Sequence, residues 1–382
     1  MLIITFWSLL VLILWTYVGY PLLLLILKMF KRPDAPGADI EPDCTLIITA
    51  YNEEVSIAKK LENSLSLDYP KTKLQIVVAS DCSNDRTHEI VEGFFARGIE
   101  LLVLEERGGK TAAQNAAVAV ATGEVLIFTD ASTEFTSSTI RSLVQPFADS
   151  RVGCVEAELD YISDGETGIG KGAGLYWKYE RWVKKAEASV NSLIGVSGCL
   201  YAVRKELYSD IAPDMISDFV IASEIHVLGY RTVYAHGAVS KEKTLENTRQ
   251  EFDMRVRVAV RSINALVRYA KMMNPIKHGF FSVQLVSHKL LRYLVPEMMI
   301  ALLIVNSVLV WSRNSSEVYD YLLVAHLSVY VLALLGWLTH SIGIRMPMVH
   351  VPFYFVQANV AAFWALVLYI GGERKTIWTP AR

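Results

Sequence analysis

Polar side chains follow several short apolar runs in the first third of the chain. The runs CTLIIT, LQIVVAS, IELLVL and EVLIFTD are followed in turn by AYNEE, DCSND, EERGGK and ASTE. Carboxylates bind divalent cations and take up protons, whereas a lysine ammonium binds phosphate oxygens. This combination predicts a site for an anionic ligand together with a metal ion.

The apolar runs alternate with stretches of helical character, which predicts βαβ units and a parallel sheet buried on both faces. Ligands of such sheets bind outside the carboxyl ends of the strands, so the polar residues are expected to meet at one edge. Asp81 and Asp130 come directly at strand ends. A simpler interpretation is also open, because an aspartate at the end of a strand often caps the next helix, and Asp85 fits that role too.

Several other classes of protein are poorly supported. No GxGxxG follows the first strand, and Gly108-Gly109-Lys110-Thr111 lacks the earlier glycine of a P-loop. The net charge of −2 lacks the basic surplus of nucleic-acid-binding proteins. The four cysteines form no CxxC pair, which argues against a zinc ribbon and a disulfide framework.

The two ends of the chain are apolar enough to span a membrane. Leu2 to Leu27 contains no charged residue and is long enough for a hydrocarbon core of about 30 Å. Basic residues follow this stretch instead of preceding it, which indicates an uncleaved anchor with a cytoplasmic C-terminal side rather than a signal peptide. Three further segments lie near Leu294–Trp311, Tyr319–Leu338 and Met348–Ile370.

These patterns predict five regions. They are a transmembrane anchor (1–28), an α/β domain (41–250) reached through a linker (33–42), amphipathic or interfacial helices (251–290), C-terminal transmembrane helices (291–372) and a tail (373–382). The side of the membrane on which the tail lies stays open. Four full crossings place it outside, but its basic residues favour the inside.

The motifs in their order resemble the family 2 glycosyltransferases with a GT-A fold. The motifs are TAYNEE, DCSNDRT, GGKTAAQNAA, FTDAS, YWKYERWVKK, GVSGCLYAVRKELY, ISDF and GYRTVYAHGAVSKE, between about Thr45 and Arg261. The resemblance implies an α/β, Rossmann-like GT-A domain in the cytosol and a nucleotide-sugar donor, with UDP preferred over GDP. It also implies Mg²⁺ or Mn²⁺ as cofactor and inversion at the transferred sugar.

The apolar helices resemble those of the polysaccharide-synthesising branch of the family. This likeness implies a multi-pass protein of the inner or plasma membrane, with one N-terminal and about three C-terminal transmembrane helices. The partners it implies are membrane lipids and a lipid-linked or saccharide acceptor, and no nucleic acid.

The resemblance also assigns residues to the donor side. Asp130 stands at the position of the family's DxD motif, and Ser132 stands where a second aspartate is often found, so both are expected at the metal. The predicted donor-binding residues are Thr49, Tyr51, Glu53, Asp81, Lys110 and Asp130. Two alternatives stay open: Glu53 as a charge in the first turn of a helix, and Lys110 as a solvated helix residue.

Asp218 matches the family's general base, which takes the proton of the acceptor hydroxyl. Asp214 and Glu224 are the alternative bases. Gly195, Ser197 and Gly198 match a loop on the acceptor side, although a tight turn explains the glycines equally well.

The sequence departs from processive relatives after Glu251. The QxxRW motif of those relatives is absent, while Arg255 and Arg257 remain and are expected on the acceptor side. The leading hypothesis is therefore a single-addition inverting transferase. The alternatives are a processive polysaccharide synthase and a catalytically silent membrane scaffold.

Overall fold

The structure, a computed structural model, describes residues 1–31, 38–162, 169–243, 248–312, 316–342 and 346–375. The chain divides into two compact units. The helical unit comprises Met1–Phe30, Gly165–Ala186 and Leu245–Glu373, and the sheet unit comprises Lys31–Asp164, Glu187–Thr244 and Arg374–Arg382. Residues 33–37 of the predicted linker and 376–382 of the predicted tail lie outside the described residues.

The sheet unit contains one mixed sheet of eight strands in the order β3-β2-β1-β4-β7-β6-β8-β5. The strands are β1 Cys44–Ala50, β2 Leu74–Ser80, β3 Ile99–Val103, β4 Val125–Asp130, β5 Glu134–Phe135, β6 Val152–Ile162, β7 Leu200–Arg204 and β8 Arg231–Lys243.

The alternation of strands and helices predicted a parallel sheet, and the part of the sheet that shows this alternation is parallel. Strands β1 to β4 pair parallel with one another, and every residue of β1 is buried, as expected for a strand covered on both faces. Strand β7 pairs antiparallel with both β4 and β6. The predicted parallel sheet is thus found in β1 to β4. The sequence did not predict the antiparallel pairing of β7, because the second half of the sheet has no repeated strand–helix alternation.

Fourteen α-helices lie in the described part of the chain. They are α1 Leu2–Leu14, α2 Tyr20–Met29, α3 Ile57–Leu65, α4 Thr87–Glu92, α5 Lys110–Val120, α6 Thr139–Val144, α7 Ile169–Val190, α8 Ser217–Val227, α9 Thr248–Arg268, α10 Pro275–His278, α11 Phe280–Leu285, α12 Leu291–Trp311, α13 Val318–Ser341 and α14 Pro347–Ile370.

The helix between β2 and β3 is short. Helix α4 ends at Glu92, and a separate 3₁₀ turn covers Phe95–Arg97. Gly93 ends α4, and Gly98 then takes φ 85° immediately before β3. A glycine adopts this left-handed conformation without the strain that a side chain brings, so the chain can turn sharply into the strand.

The helical unit contains four helices that are long and apolar enough to cross a membrane, among the residues described. They are Leu2–Met29, Phe280–Trp311, Val318–His340 and Met348–Ile370, which confirms the predicted one N-terminal and three C-terminal apolar helices. The first and second contain π-helical turns at Trp15–Gly19 and Val286–Leu290.

One face of helix α9 is buried within the helical unit. Its apolar face, including Val256, Val260 and Ile263, packs against Ala361 and Ala365 of α14. Helix α9 is thus part of the core of the helical unit along this face.

We expect Gly123→Ala to destabilise the sheet unit. An added Cβ would lie 2.4 Å from the carbonyl carbon of Cys44 and 2.5 Å from the backbone nitrogen of Thr45, and neither backbone atom can move without disturbing β1. The midpoint of thermal unfolding of the purified protein should fall further than in the control Gly98→Ala, where the space is open and only the positive φ opposes a side chain. Equal shifts in the two variants would contradict this account of β1.

Candidate active site

An ion pair lies at the carboxyl end of β4. The Lys110 ammonium, at the start of α5, contacts the Asp130 carboxylate and donates a hydrogen bond to the Gly198 carbonyl at 3.1 Å. The Thr49 hydroxyl, at the end of neighbouring β1, lies 3.4 Å from Asp130 Oδ1. Three predicted donor residues therefore lie together, as expected from the meeting of parallel strand ends.

Asp218 joins this group from the first turn of α8. A methyl group on Gly198 would lie 3.1 Å from both Asp218 Oδ2 and Lys110 Nζ, so both charged groups border the space beside Gly198. The Val196 amide donates to the Asp218 carbonyl at 2.9 Å. The structure thus brings Lys110, Asp130, Gly198 and Asp218 into one cluster, which we call the charged cluster.

The electrostatics of Lys110 agree with this placement. Burial alone would lower the pKa of the Lys110 ammonium, but the carboxylates of Asp130 and Asp218 act in the opposite direction. The net result is a pKa above the usual value for lysine, so Lys110 is charged at neutral pH. Lys110 is only 15% exposed, and the solvated-helix interpretation is therefore wrong.

Helix α5 also holds the segment that leads into α8. The Thr111 hydroxyl donates to the Met215 carbonyl at 3.1 Å, and the Asn115 amide donates to the Ile211 carbonyl at 2.8 Å. Asn115 Oδ1 in turn accepts hydrogen bonds from the Tyr208 hydroxyl and the Ile211 amide. One helix thus carries Lys110 and fixes the approach to Asp218.

Asp81 is bound by the glycine turn that precedes α5. Its two oxygens accept hydrogen bonds from the backbone amides of Gly108 at 2.8 Å and Gly109 at 2.9 Å. The Arg107 guanidinium lies 3.9 Å from Asp81 and 3.6 Å from the centroid of the Tyr51 ring. Tyr51, Asp81 and Arg107 therefore form a compact group with an aromatic face and both charges.

Two acidic residues next to this group have contacts typical of helix starts. Glu53 is buried and accepts a hydrogen bond from Ser56, the residue before α3. Asp85 accepts from the Thr87 amide at 3.0 Å at the start of α4. These contacts favour the helix-start interpretation of Glu53 that the sequence left open, and its donor-binding role stays a prediction.

Glu242 of β8 is a site residue that the sequence motifs did not single out. Ser132 and Thr133, in the turn after β4, each donate a hydroxyl hydrogen bond of 2.7 Å to one oxygen of its carboxylate. Burial raises the pKa of Glu242, and the negative charge of Asp130 acts in the same direction against these two hydrogen bonds. A second carboxylate therefore lies close to Asp130, supplied by a residue 110 positions beyond Ser132.

The donor atoms of this region fit a cation that arrives with a diphosphate. Among the residues that the structure describes, no three His, Cys, Asp or Glu side chains form a group able to hold a metal. Asp130 and Glu242 offer two carboxylates, and Mg²⁺ in phosphate sites is typically held by one or two carboxylates plus the phosphates themselves. Ser132 uses its hydroxyl to bind Glu242, and its predicted direct role at the metal stays untested.

Lys60 of α3 lies beneath the same turn, with only 2% of its surface exposed. Burial lowers the pKa of its amine to about 7, although Asp130 and Glu242 oppose this shift. The sequence contains no signal for this site residue, because Lys59 and Lys60 are adjacent and only the fold shows which one is buried.

The remaining predicted acceptor-side residues lie in both units. Gly195 lies beside Phe219 of α8, and the Ser197 hydroxyl accepts from the Cys199 amide at 3.5 Å. Arg255 belongs to the helical unit, where it forms an ion pair with Glu251 at 2.7 Å, and Arg257 is on the same helix α9. The acceptor-side roles of these residues stay predictions.

The fold and this site define a GT-A-like domain, a class built on a mixed α/β sheet. Residues 45–211 match the model of glycosyl transferase family 2, and this part of the chain is therefore a family 2 glycosyltransferase domain. The family predicted from the motifs is thus confirmed.

Two curated relatives agree with this assignment. The chain is 24% identical over 229 residues to the probable glycosyltransferase YdaM of Bacillus subtilis, covering 57% of this chain and 54% of that protein. It is 25% identical over 185 residues to a β-monoglucosyldiacylglycerol synthase of Nostoc, covering 47% of this chain and 40% of that protein. The chain thus spans about half the length of these relatives.

A solved structure is similar over almost the whole chain. The mannosyltransferase PcManGT from Pyrobaculum calidifontis, in complex with GDP-Man and Mn²⁺, aligns with a TM-score of 0.72 at 22% identity. The alignment covers 95% of this chain and 99% of that one. This likeness confirms the predicted fold.

The lowered pKa of Lys60 predicts a pH-dependent stability. Its pKa is about 7 in the folded protein, against 10.5 for an ordinary lysine side chain, so between these pH values the unfolded chain binds more protons at this residue. The contribution of Lys60 to the free energy of unfolding should therefore rise with pH from about 7 to about 10. The thermal midpoint of the wild type, relative to Lys60→Met, should increase between pH 7 and pH 9.

Lys59→Met is the matched control, because the Lys59 side chain is 69% exposed and its removal should leave the wild-type pH dependence intact. Parallel pH curves for the wild type and Lys60→Met would rule out the buried amine as the cause.

Proposed function

We propose that the protein is an inverting glycosyltransferase that moves a sugar from a nucleotide-sugar to a lipid-linked or saccharide acceptor during the synthesis of a cell-surface polysaccharide. The observation that carries this proposal is the charged cluster. It combines a lysine that can bind phosphate, a candidate metal carboxylate and a second carboxylate, Asp218, beside Gly198.

The nucleotide would bind along the ends of β1 and β2. The Tyr51 ring and the Arg107 guanidinium would offer flat faces to a base, and Asp81 would accept hydrogen bonds from a base or ribose in addition to those of the glycine turn. We propose a UDP-sugar as the donor because the motifs resemble those of the family. Thr49 and Lys110 would lie next to the nucleotide, close to its diphosphate.

Asp130 and Glu242 would hold Mg²⁺ or Mn²⁺ with the donor phosphates. When bound, the ion would neutralise the charge of the leaving diphosphate as the glycosidic bond breaks. The Mn²⁺ in the complex of the structurally similar mannosyltransferase supports a divalent cation of this kind. Lys110 adds a fixed positive charge on the same side.

Asp218 would act as the general base. Its carboxylate accepts the proton of the acceptor hydroxyl as that oxygen attacks the anomeric carbon from the side opposite the diphosphate. Attack from this side inverts the configuration, so an α-linked donor gives a β-linked product. Gly198 lacks a side chain beside Asp218 Oδ2 and so leaves the approach open.

The helical unit supports the proposed acceptor and location. We propose the domain limits of the sequence analysis, with residues 41–250 on the cytosolic face and the four apolar helices in the inner or plasma membrane. The basic residues Lys28 and Lys31 after the first helix support this orientation. The diacylglycerol-linked product in the name of the Nostoc relative supports a lipid acceptor.

Donor turnover by the purified protein in lipid tests this proposal. With Mg²⁺ or Mn²⁺, a panel of UDP- and GDP-sugars and a membrane-lipid extract, we expect consumption of one donor and a lipid product with one added sugar. Asp218→Asn should lower kcat by about 10²–10⁴-fold, because the acceptor proton loses its base. The control Asp214→Asn should remain within a few-fold of the wild type.

The product decides between the remaining hypotheses. A long polymer would replace single addition by processive synthesis, despite the absent Gln and Trp of the QxxRW motif. If the wild type consumed no donor of the panel, the proposed transferase activity would be wrong and the scaffold hypothesis would take its place.

Glu242→Gln should weaken metal binding in the presence of nucleotide. The amide keeps the size of the side chain but removes the charge that sits beside Asp130. Titration of Mn²⁺ followed by electron paramagnetic resonance, with saturating UDP, should show about a tenfold or larger rise in Kd. The control Glu134→Gln removes a surface carboxylate of the next strand, β5, and should leave Kd unchanged.

A further inference from the structure

Lys60 is a buried lysine to which neither the motifs nor the proposed chemistry gives a role. It lies on the apolar-core side of α3, where its amine donates hydrogen bonds to the Thr133 carbonyl at 2.6 Å and the Thr129 hydroxyl at 3.1 Å. The amine also lies 3.4 Å from the centroid of the Phe135 ring. Thr129 and Thr133 lie at the end of β4 and in the turn that follows it, and Phe135 belongs to β5.

These hydrogen bonds continue to both sides of the candidate active site. The Thr129 hydroxyl, which accepts from Lys60, donates to the Cys199 carbonyl at 2.9 Å, next to Gly198. Thr133, whose carbonyl accepts from Lys60, uses its hydroxyl to bind Glu242. The Lys60 amine is therefore connected through hydrogen bonds both to the turn after β4, which precedes β5, and to the loop beside Asp218.

We propose that Lys60 is a positioning residue that fixes the turn Thr129–Thr133 against the Gly198–Cys199 backbone, so that the donor side and the acceptor side of the site keep one relative placement. Lys60 acts through Thr129, Thr133 and Cys199 and does not contact the donor itself. Its ammonium and its neutral amine both donate hydrogen bonds, so this role holds in either protonation state.

The position requires an amine for a physical reason. A buried amine is costly unless its hydrogen bonds are satisfied, and a methionine of similar length would fill the same space without that cost. Methionine, however, leaves the Thr133 carbonyl and the Thr129 hydroxyl without this donor. The lysine therefore adds directional contacts rather than packing.

This inference rests on the proposed transferase activity for its kinetic consequence. When the turn shifts relative to Gly198, the donor still binds, but the acceptor hydroxyl no longer meets the anomeric carbon in line. Water then competes as the nucleophile: it attacks the anomeric carbon, the bond to the diphosphate breaks, and free sugar and nucleoside diphosphate are released. The ratio of donor hydrolysis to transfer should therefore rise.

The test compares Lys60→Met with Lys59→Met in the full-length protein. The two lysines are adjacent, and the exposed Lys59 provides the same chemical change outside the network. We expect Lys60→Met to lower kcat for transfer by about 10–100-fold, with a smaller change in donor KM and a higher share of hydrolysis. Lys59→Met should stay within about twofold of the wild type, as removal of a surface ion pair has little effect.

Hydrogen exchange of the backbone amides provides a readout independent of activity. In Lys60→Met, exchange should accelerate in residues 129–133 and 198–199 and stay unchanged in β2, where Lys60 has no hydrogen bond. If Lys60→Met is unstable, Thr129→Val removes the hydroxyl that connects Lys60 to Cys199, leaves the Lys60 hydrogen bond to the Thr133 carbonyl in place and should accelerate exchange at residues 198–199.

The outcomes separate this inference from the proposed function. Normal exchange and an unchanged hydrolysis share in folded Lys60→Met, beside an active wild type, would overturn the role of Lys60 and leave the transferase intact. Accelerated exchange in a protein whose wild type transfers no sugar would support the positioning role and overturn the function.

Discussion

The contact between the Lys110 ammonium and the Asp130 carboxylate organises the candidate active site. It joins the start of α5 to the end of β4, and Lys110 extends the connection to the Gly198 carbonyl. Both side chains are largely shielded from water, with 15% and 21% of their surfaces exposed. In such surroundings an unpaired charge is strongly unfavourable, so each group constrains the other more tightly than a surface pair would.

The sheet unit holds that contact in place through the turn before α5 and through residues of α5 itself. Before the helix, the amides of Gly108 and Gly109 bind both oxygens of Asp81, which ties the glycine turn to the end of β2. Along the helix, Thr111 and Asn115 bind the segment that leads to Asp218. The candidate donor and acceptor sides therefore share one rigid element, which is what a reaction with in-line geometry requires.

Two buried ionisable residues at this edge of the sheet lower the stability of the protein. Lys60 and Glu242 both lie in surroundings that disfavour their charged forms, and both pKa shifts follow mainly from burial. The hydrogen bonds that these residues form all converge on the turn between β4 and β5. A purely apolar core would be more stable at this point, so the polar contacts concentrate where the proposed chemistry needs fixed geometry.

The amino-acid sequence alone was enough to predict those elements that leave a local pattern in the chain. The apolar lengths predicted the membrane-capable helices, the alternation of strands and helices predicted the parallel half of the sheet, and Asp81 and Asp130 were identifiable because they come directly at strand ends. Asp218 was identifiable only through the resemblance to the family.

Tertiary structure alone decided the contacts between distant segments. The antiparallel pairing of β7, the placement of Glu242 beside Ser132 and the burial of Lys60 instead of Lys59 leave no local pattern. Each depends on residues about 70 to 110 positions apart, which meet only after the sheet has assembled. Periodicity and motif spacing depend on residues that are close along the chain. A charged site is formed by side chains from distant segments, which come together only in the folded protein.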